Sequence, residues 1–194
     1  HRAGLCKDLH KRGVEWINIY AVDNVLQRIA DPVFVGATIL SGVNCGAKVV
    51  LKASPEERVG VLCLEDSSPA IIEYYELTKE MAEQRAENSL SYRYGVILNY
   101  LFRLSKLEET ADRHIPVHIV RKKIEYVDEK GNVCKPETEN GKKFETLAVD
   151  LIKPMESVLP FVVEREKEFA PIKNKTGTDS VETARELLKK NGVN

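Results

Sequence analysis

Apolar and polar positions alternate along this chain in short bursts, each bounded by turn-forming residues. Residues 15–22, Glu-Trp-Ile-Asn-Ile-Tyr-Ala-Val, are rich in β-branched and aromatic side chains and predict a strand. From Ile19 the run is nearly continuously apolar, as a buried strand should be. Asp23-Asn24 breaks it, residues 25–30 read as a short helical or loop segment, and residues 33–41 after Asp31-Pro32 predict a helix closed by Gly42. Residues 47–52, 59–64 and 70–74 are strand-like, with Pro55 and Ser67-Ser68-Pro69 as turns. The spacing then predicts a helix over 77–88, a strand over 92–98, and helices over 99–106 and 115–122, with Pro116 tolerated in a first turn. Residues 126–136 predict a surface hairpin turning at Asp128-Glu129-Lys130-Gly131. Residues 143–150 and 159–165 predict strands and 181–190 a last helix, followed by Asn191-Gly192. Leu5 and Leu9 lie four apart, so a helix is expected at the start as well. This alternation predicts an α/β fold, a Rossmann-like mixed and mostly parallel sheet flanked by helices. The first residue is His1 and neither end carries the mark of a natural terminus, so an incomplete fragment is expected, one partial domain over 1–194.

Composition narrows the classes. With 43% hydrophobic and 30% charged residues, 194 residues can bury a core and stay in solution. The net charge of -1 is spread evenly, so a dedicated nucleic-acid partner is not expected. No apolar run approaches the ~20 residues of a membrane helix, and no membrane partner or secretory signal is expected. Cys6, Cys45, Cys63 and Cys134 are far apart, without the close pairing of a zinc site, and read as reduced thiols of a cytoplasmic protein. The oligomeric state is not legible.

Four segments can carry chemistry. Asp23 follows a buried strand, at the kind of edge where open α/β sheets bind ligands. A carboxylate there can hold Mg²⁺ against substrate phosphates, or it can cap the next helix. In Ile71-Ile72-Glu73-Tyr74, an apolar run delivers a carboxylate beside a ring, suited to accepting hydrogen bonds from sugar hydroxyls or to ending a strand. In Phe169-Ala170-Pro171-Ile172-Lys173, Pro171 stiffens a loop presenting an ammonium for phosphate, or a solvated lysine. Asn140-Gly141-Lys142-Lys143 is a turn followed by two lysines. His114 and His118 lie four apart, but Ile115 stands where a metalloprotease has its glutamate, so structural histidines are expected. No Ser-His-Asp set, dinucleotide fingerprint or Walker loop is present.

Taken in order, Tyr20-x-Val22-Asp23-Asn24, Ala30-Asp31-Pro32-x-Phe34-x-Gly36, Cys45-Gly46-Ala47-Lys48-Val49-Val50, Val59-Gly60-Val61, Glu73-Tyr74-x-Glu76, Asn140-Gly141-x-Lys143-x-Glu145 and Arg165-Glu166-x-Glu168-Phe169-x-Pro171-x-Lys173-Asn174 resemble the UDP-N-acetylglucosamine/galactosamine pyrophosphorylases of the UDP-sugar pyrophosphorylase family. The resemblance implies transfer of a uridylyl group, with UTP and a hexose-1-phosphate (N-acetylglucosamine-1-phosphate or glucose-1-phosphate) as partners and Mg²⁺ as cofactor. The nucleophile is then the substrate's own phosphate, and catalysis is positioning and charge neutralisation. By position, Asp23 is implied as the metal ligand and, with Lys173 on the sugar phosphate, as the catalytic pair. Glu73, Tyr74, Gly60, Gly95, Val96 and Lys143 are implied as substrate-binding. Val96 stands where the family has an asparagine on the sugar, which leaves the N-acetyl preference open. The family's Leu-x-x-Gly-x-Gly-Thr-Arg loop for UTP does not occur in these residues, so the chain alone is expected to be inactive. The alternative is a binding module that kept the fold and lost the activity.

Overall fold

A computed structural model describes residues 3–193. The order is α1 (Leu5–Lys11), β1 (Trp16–Tyr20), α2 (Pro32–Leu40), β2 (Cys45–Leu51), β3 (Val61–Glu65), β4 (Ser68–Ile72), α3 (Lys79–Glu83), β5 (Arg85–Ala86), β6 (Ser89–Leu90), β7 (Tyr94–Arg103) and α4 (Leu104–Glu109). There follow β8 (His118–Lys122), β9 (Tyr126–Val127), β10 (Val133–Cys134), β11 (Gly141–Glu145), two 3₁₀ turns (Ala148–Leu151 and Lys153–Met155), β12 (Val158–Val162), α5 (Arg165–Glu168) and α6 (Val181–Lys190).

Six strands form one mixed sheet in the order β12-β2-β7-β3-β4, with β1 also paired to β7. This corrects the expectation of a mostly parallel sheet. Only β12 and β2 run parallel, and β2–β7, β1–β7, β3–β7 and β3–β4 are antiparallel. The physical reason is the length of the connections. A parallel neighbour needs a crossover of a dozen or more residues, whereas two residues suffice for an antiparallel one. Glu65 pairs with Ser68 across Asp66-Ser67. Both turn residues have positive φ, 48° and 65°, the backbone twist of a tight hairpin.

Other differences are local. Residues 77–88 are helical only over Lys79–Glu83, behind a Thr78 cap, and their tail forms the β5–β6 hairpin. The strand expected over 92–98 runs on to Arg103, displacing the helix expected from 99, because β7 is clasped by β2 on one edge and β1 on the other. Residues 118–122, expected to be helical, pair as a strand with Gly141–Glu145, and 3₁₀ turns follow where a strand was expected to continue to 150. Short apolar runs do not tell helix from strand by periodicity alone, and pairing decided them. The α1, α2 and α6 helices and the β9–β10 hairpin lie where the spacing placed them.

The core has two sides. Cys45, Ala47, Val49, Tyr100 and Phe102 face Val149 and Met155 of the 3₁₀ turns and Ile152 between them. On the other face Val50, Val59 and Ile97 pack with Val163 and Phe169, and α2 lays Phe34 against the sheet. The four cysteines are free thiols. No helix among the described residues is long and apolar enough to cross a membrane.

Candidate functional site

The sheet contains a fork. One edge of β7 is shared by two strands: β1 pairs with residues 99–103, and β3 pairs only at Gly95, opposite its first residue Val61. The last contacts before and after the gap are Ala21 N–H donating to the Leu98 carbonyl and Val96 N–H donating to the Gly60 carbonyl. On the opposite edge Ala47 pairs with Tyr100 and Val49 with Val96, so Lys48 alone faces Ile97, Leu98 and Asn99. This bulge, with Leu98 at φ 50°, opens the strand at the fork. A cavity of about 200 Å³ opens there. That is smaller than the ~300–1,000 Å³ of drug-sized ligand pockets, a volume for a small polar ligand.

Topology brings the chemistry to this cleft from three directions. β1 ends at its mouth and delivers Asp23. β4 returns antiparallel beside β3, with Ile72 opposite Val61, so the next residue, Glu73, arrives next to Gly60. A Cβ on Gly60 would stand 3.4 Å from both Glu73 carboxylate oxygens and 3.3 Å from Val96 Cγ2. The missing side chain is therefore what leaves that corner open. The third direction is the loop after α5, which carries Lys173. It is fastened to the Asp23 segment by Asn24, which is buried. Asn24 Nδ2 donates to the Glu168 carbonyl at 2.8 Å, and its Oδ1 accepts from Ala170 N–H at 2.8 Å and Leu26 N–H at 3.3 Å. Ile172 N–H donates to the Asp23 carbonyl at 2.9 Å. Two segments about 150 residues apart thus present Asp23 and Lys173 to one cavity.

Behind that loop lies a buried charge cluster. Lys48 is fully buried, with Nζ 2.8 Å from Asp31 Oδ2 and 2.5 Å from Glu168 Oε2. Asp31 also caps α2 by accepting from Val33 N–H. Burial pushes the Asp31 carboxyl up, but the hydrogen bond and charge of Lys48 outweigh it and hold the group below the usual range. Glu168 immediately precedes Phe169, so this cluster anchors the root of the Lys173 loop.

Of the residues singled out from sequence, Asp23, Gly60, Glu73, Tyr74, Val96 and Lys173 all line the cavity. Gly95 and Lys143 do not. Gly95 has a packing reason: a Cβ there would lie 2.9 Å from Val59 Cγ2. Lys143 stands exposed on β11 and pairs with Glu145. Two further lining residues carried no usable signal. Arg58 brings a second cation from an irregular loop, and Tyr100 reads in sequence as an ordinary core aromatic, while Phe169, from the segment named with Lys173, supplies a wall. Lys48 did carry one, as a lone charge inside the apolar run Cys45–Leu51.

The electrostatics are mixed. Burial first, and then the neighbouring Glu76 and Asp150, push the Glu73 carboxyl up, while His118 and Lys173 partly counter them. His118 bridges at 3.0 Å to Asp150 and at 3.5 Å to Glu76, and its hydrogen bond to Asp150 raises its basicity. It is a bonded structural group on a strand. No cluster of three or more His, Cys, Asp or Glu suited to a metal occurs among the described residues. Asp23 beside an open cavity is a single hard oxygen donor, which fits Mg²⁺, since that ion commonly takes one or two carboxylates and completes its shell with phosphates and water.

Fold and cleft together define an α/β protein with a small site, charged groups set among apolar walls, at a fork in a mixed sheet. The sequence model of the UTP–glucose-1-phosphate uridylyltransferase family matches residues 1–187, and the chain belongs to that family of UTP:sugar-1-phosphate uridylyltransferases. It is 43% identical over 190 residues to the human UDP-N-acetylhexosamine pyrophosphorylase-like protein 1, covering 95% of this chain and 38% of that protein. It is 36% identical over 190 residues to the UDP-N-acetylglucosamine pyrophosphorylase of Saccharomyces cerevisiae, covering 93% of this chain and 40% of the relative. Among solved structures, the Trypanosoma brucei uridine diphosphate N-acetylglucosamine pyrophosphorylase in complex with an inhibitor superposes with a TM-score of 0.79 at 28% identity, over 95% of this chain and 36% of that one. The chain spans about two fifths of the length of the curated relatives it matches.

Proposed function

We propose that this chain is the hexose-1-phosphate-binding part of a uridylyltransferase that makes a UDP-sugar and pyrophosphate from UTP and a hexose-1-phosphate. The observation that carries the reading is the meeting of Asp23, Glu73 and Lys173 on one cavity although they lie far apart in the chain. In this reading Lys173, as a point charge, binds the sugar phosphate, and Arg58 adds a second positive group at the rim. Glu73 accepts hydrogen bonds from sugar hydroxyls, and the bare Gly60 lets the ring approach the backbone. Asp23 would hold Mg²⁺, which supplies neutralisation of phosphate charge in the transition state. The substrate phosphate is the nucleophile, so the chain's own work is to bind, orient and neutralise. No residue here needs to form a covalent intermediate.

Val96 gives the cavity an apolar wall without an amide. This supports glucose-1-phosphate as readily as N-acetylglucosamine-1-phosphate. No Gly-x-Gly-Thr-Arg loop lies within these 194 residues. In this reading turnover needs a nucleotide-binding segment outside them, whereas sugar-phosphate binding does not.

Calorimetric titration of both hexose-1-phosphates into the chain, with Mg²⁺ present, tests this. The expected result is binding that weakens about tenfold or more in Lys173→Ala, the cost of one charge-assisted hydrogen bond. Absence of binding at millimolar ligand, or binding indifferent to Lys173→Ala, overturns the reading.

A further inference from the structure

Tyr100 sits at the centre of the sheet, paired with Ile19 on one side and Ala47 on the other, and its side chain is fully buried. Its ring packs edge-on against Phe102, with centroids 6.0 Å apart. An apolar core position of this kind asks for phenylalanine. Instead the hydroxyl is buried, and among the described residues it has no hydrogen-bond partner. A buried polar group left unpaired costs ~1–3 kcal/mol, so buried tyrosine hydroxyls nearly always find a partner. Tyr100 is also part of the cavity lining, together with Glu73, Gly60 and Val96.

We propose that the Tyr100 hydroxyl is a specificity-determining hydrogen-bond donor for the sugar, reading together with Glu73 one ring hydroxyl of the bound hexose-1-phosphate. The proposal rests on the site reading above and deepens it. Its chemistry follows from the two groups. A carboxylate only accepts, and a phenol kept protonated by burial and by the nearby Glu73 charge donates. A sugar hydroxyl does both, so it can donate to Glu73 and accept from Tyr100 at the same time. An ether, a methyl group or a missing oxygen cannot. The pair thus selects a free hydroxyl at one ring position, the selectivity that an apolar Val96 does not provide.

The test is a double-mutant cycle between protein and ligand. Affinities of wild type and Tyr100→Phe are measured by calorimetry for the hexose-1-phosphate that wild type binds better and for its monodeoxy analogues, and the stability of the free proteins is measured by urea unfolding. If the hydroxyl is held for ligand, Tyr100→Phe leaves the free protein equally or more stable. The variant then binds the parent ligand about tenfold more weakly. One monodeoxy analogue binds both proteins equally, because the interaction is already gone. A loss of stability in the free variant would mean that the hydroxyl is satisfied inside the fold, and the proposal falls. Equal affinity of wild type and variant for the parent ligand also overturns it while leaving the site reading intact. If wild type binds no hexose-1-phosphate at all, the site reading itself fails and takes this proposal with it.

Discussion

The side chain of Asn24 joins the two halves of the cleft, and its removal is the sharpest test of how the site is built. Asn24→Ala deletes the Nδ2 donor to the Glu168 carbonyl and the Oδ1 acceptor of the Ala170 and Leu26 amides. Ala170 and Glu168 are themselves buried, so water cannot easily replace the lost bonds. Leaving a buried donor or acceptor unpaired costs ~1–3 kcal/mol each. Two strong bonds at 2.8 Å are lost and the 3.3 Å bond is weak, so a destabilisation of about 3 kcal/mol is expected, a large part of the ~5–15 kcal/mol that holds a domain. Asn24→Asp keeps both acceptor bonds but sets a carboxylate oxygen against the Glu168 carbonyl in a buried place, so a loss at least as large as that of Asn24→Ala is expected. Equilibrium urea unfolding followed by circular dichroism measures both variants. Hydrogen exchange at the Ala170 and Ile172 amides should accelerate in Asn24→Ala, because both amides belong to the fastening. A loss below about 1 kcal/mol with unchanged exchange would mean that the loop is held in place without Asn24, and the account of how Asp23 meets Lys173 would be wrong.

Lys48→Met leaves Asp31 and Glu168 buried without their shared cation and should cost ~3–5 kcal/mol in the same unfolding assay; a neutral result would mean that the cluster is solvated. Glu73→Gln should separate stability from binding. Burial raises the Glu73 carboxyl, so its favourable contribution is fully present below the ordinary carboxylate range and is lost as pH rises through the folded value. The glutamine variant should therefore be more stable than wild type at pH 7. That gap should close toward pH 4, as thermal melts at the two values would reveal. A variant less stable than wild type at pH 7 would refute the assigned cause of the shift.

How much could be read without coordinates differs from element to element. The β1 strand was legible because five residues of β-branched and aromatic character end abruptly at Asp23-Asn24, and α2 because Asp31-Pro32 writes its cap and first turn into the sequence. Asp23, Glu73 and Lys173 were legible as polar groups at the ends of apolar runs. Sheet direction was misread, because a strand's own residues say nothing about the polarity of its neighbour. The same ambiguity turned residues 118–122 from an expected helix into a strand.

The sequence by itself determined which segments are apolar, where they stop, and which charged groups stand at those stops, because these depend on residues a few positions apart. Only the tertiary structure decided that β1 and β3 share one edge of β7 and part at Ile97–Leu98, and that Asn24 ties residue 23 to residue 173. It also decided that Tyr100, whose hydroxyl is without a hydrogen-bond partner among the described residues, joins the lining of the resulting cavity. These are long-range pairings, set by which backbone groups find partners when the whole chain closes, and no local pattern encodes them.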